Sequence, residues 1–210
     1  MIPIKICGIT NKSDAIEAVN LGASAIGFIF YRKSQRYISL SEAKLICEKV
    51  SHKVAVVGVF VNHSKEFINH AIDLVPLNMI QLHGDESPEF CKNFSVPIIK
   101  AIRVKNKLSL QILNQYKVNG ILLDSFSKVK YGGTGKTFDW SLINIKTKQN
   151  ILLSGGLNQE NILEAISFLN PVAVDISSGI ESSIGQKDYY KMKQLFEVIK
   201  NTNDTGFTYG

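Results

Sequence analysis

The chain has 210 residues, 45% of them hydrophobic and 20% charged, and a formal net charge of +6. That balance excludes intrinsic disorder and low-complexity scaffolds, and the length suits one large domain that removes roughly 70% of its unfolded surface from water. The longest apolar run, Val54–Val61, falls far short of the roughly 20 residues of a spanning helix, so no membrane segment is expected.

The start, Met1-Ile2-Pro3-Ile4-Lys5, lacks a basic stretch followed by a long apolar one, so no signal peptide and a cytoplasmic location are expected. Cys7, Cys47 and Cys91 are odd in number, far apart and without CxxC spacing, which suggests neither a disulfide framework nor a zinc site. Lys and Arg are spread along the chain rather than gathered in a stripe, so no nucleic-acid partner is expected; a bias toward an anionic small substrate is the simpler reading.

In chain order, short β-branched runs alternate with helical periodicity. Strands are expected at Ile2–Cys7, Ala25–Phe30, Val54–Val61, Met79–Leu82, Ile98–Ile102, Gly120–Asp124, Ile151–Ser154 and Ala173–Ser177. Helices are expected at Ser13–Leu21, Ser41–Val50, Lys65–Leu74, Ser87–Phe94, Leu108–Tyr116, Asp139–Ile145, Gln159–Leu169 and Asp188–Ile199. Start signals fit this layout: Ser13-Asp14, Ser41-Glu42, Ser64 and Asn158 precede helical patterns, and Gly22 follows one. The strands show little polar alternation, as expected when both faces are covered. Eight β-then-α units predict a single-domain (β/α)8 barrel over residues 1–200, with a doubly wound open sheet as the alternative. Residues 201–210 are polar and aperiodic and are expected to fray.

In such a barrel the reactive groups lie where strands end and loops begin. The predicted strand exits carry Cys7-Gly8-Ile9-Thr10, Arg32-Lys33-Ser34-Gln35-Arg36, Gln81-Leu82-His83-Gly84-Asp85, Asp124-Ser125, Ser154-Gly155-Gly156-Leu157 and Asp175-Ile176-Ser177-Ser178-Gly179-Ile180-Glu181. Glycine-bearing turns after strands seven and eight present backbone N–H groups that can bind an anion, and barrels of this kind often hold a phosphate there. Glycine is also the ordinary residue of a tight turn, but two such turns in the matching loops favour phosphate. Gly132-Gly133-Thr134-Gly135-Lys136-Thr137 lacks the spacing of a nucleotide P-loop, since Lys130 stands where the first glycine is required. With Lys128, Lys130 and Lys136 it reads instead as a basic lid over an anionic substrate, spanning Lys128–Thr137.

Taken in order, Lys5-Ile6-Cys7-Gly8-Ile9-Thr10, Val57-Gly58-Val59-Phe60, Gln81-Leu82-His83-Gly84, Leu122-Leu123-Asp124, Gly132-Gly133-Thr134-Gly135, Ser154-Gly155-Gly156-Leu157 and Asp175-Ile176-Ser177-Ser178-Gly179-Ile180-Glu181 resemble the phosphoribosylanthranilate isomerase family. The resemblance covers nearly the whole chain. It implies a (β/α)8 barrel, no cofactor, and an Amadori rearrangement of N-(5-phosphoribosyl)anthranilate to 1-(2-carboxyphenylamino)-1-deoxyribulose 5-phosphate, the third step of tryptophan biosynthesis from chorismate. It matches Asp124 to the general acid and Cys7 to the general base.

A lone cysteine is more often inert packing, and Cys47 and Cys91, inside helical patterns, take that reading. Cys7 differs because it ends a strand ahead of Gly8; a thiol near pKa 8.5 needs cationic or N–H neighbours to act as a base. Asp124, which could also be a plain helix cap, must resist ionisation to donate a proton at neutral pH. Arg36 is the candidate for the anthranilate carboxylate, with Arg32 as competitor. His83 orients substrate or is a satisfied strand-end histidine; Asp175 accepts from a sugar hydroxyl or braces the loop beyond it. Gly155, Gly156, Ser178 and Gly179 form the phosphate cup through backbone N–H groups, and Ser177 adds a hydroxyl.

The partner is then a phosphorylated small molecule, and a monomer is expected because nothing marks a large apolar interface. Two other readings compete. Another phosphate-binding barrel would share the loops but leave Cys7 unexplained, and a histidine-pathway isomerase would want an aspartate at Lys100-Ala101-Ile102-Arg103. A basic binding domain would account for the pI of about 9.1 and leave Cys7 and Asp124 idle.

Overall fold

Strands whose side chains alternate between two apolar environments need both faces covered, and a closed cylinder inside a ring of helices supplies that. The computed structural model describes residues 1–50, 52–125, 140, 143 and 147–210. In it β1 (Ile4–Cys7), β2 (Ala25–Ile29), β3 (Ala55–Phe60), β4 (Met79–Leu82), β5 (Ile98–Val104), β6 (Gly120–Ser125), β7 (Ile151–Leu153) and β8 (Ala173–Ile176) form a closed parallel barrel in chain order. Closure is made by β1 against β8, with Lys5 opposite Asp175 and Ile6 opposite Ile176. The open-sheet alternative is thereby excluded. Outside lie α1 (Lys12–Asn20), α2 (Leu40–Val50), α3 (Lys65–Leu74), α4 (Ile162–Leu169) and α5 (Tyr189–Ile199). A short antiparallel ribbon, β9 (Glu181–Ser183) with β10 (Gln186–Lys187), follows β8.

Strand alternation sorts the side chains into two cores. Outward residues such as Ile4, Ile6, Ile26, Phe28, Ile80 and Leu123 pack with helix residues Ala15, Ala18, Ile68 and Leu195. Inward residues Ala25, Val57, Met79, Ile99, Ala101, Leu122, Leu152 and Ala173 fill the lower part of the cylinder. Nearer the strand exits the inward positions turn polar.

Helix ends follow from local hydrogen bonding. Asn11 caps α1, its side chain accepting from Asp14 N–H at 2.9 Å, two residues before the expected Ser13. Ser64 caps α3 as expected. Asn158 instead closes the turn ahead of α4, accepting from Glu160 and Asn161 N–H groups.

Three expectations are corrected. Residues 87–94 make turns, not a helix: Ser87 caps one turn through Phe90 N–H, and Asn93 adopts a left-handed backbone (φ 64°) that stops propagation. The stretch expected as a helix at Leu108–Tyr116 forms two short 3₁₀ turns, Lys107–Leu110 and Leu113–Gln115, the first held by a reciprocal Asn106–Ser109 capping box. The tail does not fray. Tyr209 is buried among the inward residues of the lower core, Phe207 meets its ring edge-on at 5.2 Å, and Thr205 Oγ1 donates to Val172 O at 2.6 Å. Polar, aperiodic sequence concealed one aromatic side chain with a hole to fill. The helix expected at Asp139–Ile145 and the lid at Lys128–Thr137 lie outside the described residues, apart from 140 and 143.

Candidate active site

At the strand exits lies a cleft of about 530 Å³, lined among others by Cys7, Arg36, His83, Asp124, Asp175 and Ser177. Six of the residues singled out in the sequence therefore meet in one space, although they come from five different strands or the loops after them. Gly155, Gly156, Ser178 and Gly179 are not among the lining residues. They stand in the loops after β7 and β8, beside Ser154 and Ser177, which are.

Cys7 ends β1 and points inward, as does Lys5 two residues earlier on the same face. Lys5 Nζ lies 2.6 Å from Asp175 Oδ1, and both side chains are buried. Gly27 stands opposite Cys7 on β2; a Cβ there would fall 2.9 Å from Cys7 Sγ and 3.4 Å from Lys5 Nζ, so the missing side chain makes room for both. Burial first, then the Asp175 carboxylate, push the Cys7 thiol above its ordinary value, while Lys5 and Lys187 oppose them. The positive neighbours that a cysteine base demands are present, but so is a competing anion.

Asp124 lies on β6 within the barrel mouth, buried, with a hydrogen bond to each oxygen: His83 Nε2 is 3.0 Å from Oδ2, and Ser125 N–H donates to Oδ1 at 2.8 Å. His83 Nδ1 lies 2.8 Å from Gln81 Nε2. With the Gln81 amide so oriented, Nδ1 accepts, Nε2 carries the proton, and the ring donates to Asp124. His83 is thus held by two partners. Its loop is fixed from behind by the buried ammonium of Lys100, which donates to Leu82 O and Gly84 O and pairs with Glu86 at 2.8 Å.

Arg36 lines the cleft from the loop after β2. Its Nε and Nη2 each donate at 2.7 Å to one oxygen of Glu181, on β9. A guanidinium has five N–H groups, so three remain for a ligand, on the edge formed by Nη1 and Nη2. Lys187 Nζ pairs with the same carboxylate at 3.0 Å. Burial works to raise the Glu181 carboxyl, but Arg36 and Lys187 carry it below the usual carboxylate range.

The candidate anion cup has the geometry its glycines allow. Gly155 and Gly156 have φ of 91° and 67°, which side-chain-bearing residues avoid. Their N–H groups enter no hydrogen bond among the described residues. The hydroxyl of Ser177 is buried without a partner among the described residues. A Cβ on Gly155 would meet Asp124 Oδ1 at 3.0 Å, so the cup and the carboxyl group are direct neighbours.

Four residues of this site have no role assigned from the sequence: Lys5, Gln81 and Glu181, although they stand within the family motifs, and Lys187. Lys5 and Gln81 did leave a signal, each being the one polar residue inside an apolar strand (Ile4-Lys5-Ile6-Cys7 and Met79-Ile80-Gln81-Leu82). Glu181 and Lys187 are brought in by the β9–β10 ribbon, which nothing in the local sequence announces. Among the described residues, no group of three His, Cys, Asp or Glu side chains is placed to hold a metal ion, and no helix is long and apolar enough to cross a membrane.

A family model described as N-(5'-phosphoribosyl)anthranilate (PRA) isomerase matches residues 4–198. The chain belongs to the PRA isomerase family. An N-(5'-phosphoribosyl)anthranilate isomerase of Legionella pneumophila (strain Paris) is 44% identical over 200 residues, 94% of this chain and 97% of that protein. The crystal structure of phosphoribosyl anthranilate isomerase from Thermotoga maritima is 43% identical and superposes with a TM-score of 0.88, covering 95% of this chain and 99% of that one. A PRA isomerase solved in complex with reduced 1-(o-carboxyphenylamino)-1-deoxyribulose 5-phosphate is 41% identical, with a TM-score of 0.83 over 95% of this chain and 99% of that one. Like its family, the chain is an isomerase of tryptophan biosynthesis.

Proposed function

We propose that this chain converts N-(5-phosphoribosyl)anthranilate to 1-(2-carboxyphenylamino)-1-deoxyribulose 5-phosphate, the third step from chorismate, with Asp124 as general acid and Cys7 as general base. One observation carries the assignment: Cys7 on β1 and Asp124 on β6 line the same cleft.

The chemistry follows from what each group can do. The Asp124 carboxyl gives its proton to the ring oxygen as the anthranilate nitrogen pushes its lone pair toward C1, and the ring opens to an iminium ion. The carboxylate left behind already accepts from His83 Nε2–H and Ser125 N–H, which stabilise it as charge develops. The Cys7 sulfur then takes the proton from C2. The electrons of that C–H bond form a C1–C2 double bond, and the iminium electrons return to nitrogen. The resulting enolamine tautomerises to the ketone, losing the hydroxyl proton as C1 gains one. A proton passed from thiol to carboxylate through solvent restores both groups.

The remaining residues bind. The open edge of Arg36 receives the benzoate carboxylate, Asp175 accepts from a sugar hydroxyl, and Gly155, Gly156, Ser177, Ser178 and Gly179 hold the phosphate. Every group named lies on one chain, so a monomer suffices, and a biosynthetic role of this kind places it in the cytoplasm. The test follows anthranilate fluorescence during turnover of the phosphoribosyl substrate by the wild type and by Cys7→Ser. Turnover by the wild type and its near-complete loss in the variant support the proposal; near-normal turnover by Cys7→Ser refutes the base assignment.

A further inference from the structure

A lysine whose ammonium is wholly removed from water costs several kcal/mol of lost hydration, and such a group is kept only where partners or function compensate. Lys5 is one of the largest fully buried side chains in the molecule. Its ammonium points into the barrel, not to a surface. Asp175 Oδ1 lies 2.6 Å away, yet neither atom makes a hydrogen bond of acceptable angle with any partner among the described residues. The contact is a close ionic one between two buried groups. The Cys7 sulfur is what lies next to them. It shares with Lys5 Nζ the space above Gly27, both within 3.4 Å of the point a Cβ there would occupy, so the ammonium acts on the sulfur as a neighbouring positive charge.

The wider surroundings make Lys5 distinctive among the charges near Cys7. Asp175 on β8 faces the sulfur and opposes its ionisation. Lys187 on β10 favours it, but Lys187 and Arg36 are both committed to Glu181. Tyr209, rising from the tail, adds a phenol held neutral by burial and by the same anions. Lys5 couples the two: its ammonium is paired with Asp175 and adjoins the sulfur above Gly27.

We propose that Lys5 is the positioning residue of the base: clamped by Asp175, its buried ammonium fixes the Cys7 sulfur at the cleft floor and balances the negative charge of the thiolate. The idea rests on the reading of Cys7 as the base. When the C2 proton moves to sulfur, the thiolate charge disappears and the Lys5 ammonium is left paired with Asp175 alone, so the cation stays compensated at both ends of the step.

The experiment separates the two readings because its main readout does not need turnover. Iodoacetamide alkylation of Cys7 is followed by peptide mass spectrometry from pH 6 to 11 in the wild type, Lys5→Met, Asp175→Asn and the double variant Lys5→Met/Asp175→Asn. The double variant has no buried charge left unpaired. Circular dichroism reports folding. Loss of Lys5 is expected to move the alkylation midpoint of Cys7 upward by about one pH unit or more, both against the wild type and between the double variant and Asp175→Asn. In Lys5→Met, kcat is expected to fall about 10²-fold with KM within threefold of the wild type. An unchanged midpoint in a folded variant, a loss confined to KM, or failure of both Lys5 variants to fold would overturn the proposal; the last would make Lys5 a structural ion. If Cys7→Ser itself retains turnover, the base reading fails whatever the alkylation profile shows.

Discussion

The two ends of the barrel are built from the same strands by the same alternation, yet they differ in kind. The lower interior holds Ala25, Val57, Met79, Ile99, Leu122 and Ala173, closed from beneath by Tyr209. The upper interior holds Lys5, Cys7, Gln81, His83, Asp124 and Asp175, nearly all of them buried as deeply. One end is stabilised by apolar area. The other is a net of charges whose desolvation is offset only by mutual pairing, so removing any one member strands its partner. The lower end should therefore tolerate changes that cost stability and spare chemistry, whereas changes at the upper end should cost chemistry and, where they strand a buried charged partner, stability as well.

The sharpest break is at the two proposed proton carriers. Cys7→Ser and Asp124→Asn are each expected to lower kcat about 10³-fold or more, because a positioned acid or base contributes about 10²–10⁴ and both steps are obligatory here. Affinity for a sugar phosphate, measured by calorimetry, is expected to stay within a few-fold. A large loss of affinity with little change in kcat would place these residues in binding instead.

Arg36 tests the border between binding and structure. Arg36→Met is expected to raise KM by about 10–100-fold, the consequence of losing a charge-assisted carboxylate contact. It also leaves Glu181 with Lys187 alone, and a buried carboxylate half-deprived of partners is expected to lower the thermal midpoint. The triple variant Arg36→Met/Glu181→Gln/Lys187→Met, which leaves no member of the cluster charged, should recover that midpoint without recovering KM. Recovery of both would mean that Arg36 serves only to hold Glu181.

These contrasts also show what was legible in the sequence. The barrel could be read because each of its eight strands is a compact β-branched run, and all eight recur within a few residues of their expected bounds. The mouth could be read because Cys7, His83, Asp124 and Asp175 are reactive types placed at strand exits. Hidden were groups whose partners lie far along the chain. Lys5 pairs with Asp175 across barrel closure, Arg36 with Glu181 through a ribbon after β8, and Tyr209 fills a hole made by strands from β2 onward. Periodicity reports which face is apolar; it does not report which distant charge arrives there.

Tyr209 probes the lower end. Truncating a buried aromatic side chain costs about 3–5 kcal/mol, and the small residues around it, Ala25, Ala101 and Ala173, leave little to collapse into the space. Tyr209→Ala is therefore expected to lower the denaturant midpoint markedly while kcat of the folded fraction stays within about threefold. A thousandfold loss of kcat in a folded Tyr209→Ala variant would show that the two ends are not separable.

The smallest effect expected concerns the cysteines outside the cleft. Cys47 lies on the buried face of α2 and Cys91 within the turns at residues 87–94, also buried; burial pushes their thiols up to about 12 and about 11. In the unfolded chain both return to about 8.5. Below that pH each is protonated whether the chain is folded or not, so neither contributes a pH dependence. As pH rises above it, the unfolded thiols ionise while the folded ones do not, and folding free energy is lost until the folded values are reached. At pH 10 the loss amounts to about 2 kcal/mol per thiol. Urea midpoints measured from pH 7 to 10.5 should fall less steeply for Cys47→Ala/Cys91→Ala than for the wild type, whatever the two substitutions cost at neutral pH. Parallel curves would mean that the buried thiols ionise as readily in the folded chain as in the unfolded one. They should also resist iodoacetamide at pH 8 under conditions that label Cys7, because burial pushes both thiols well up and neither lines the cleft as Cys7 does.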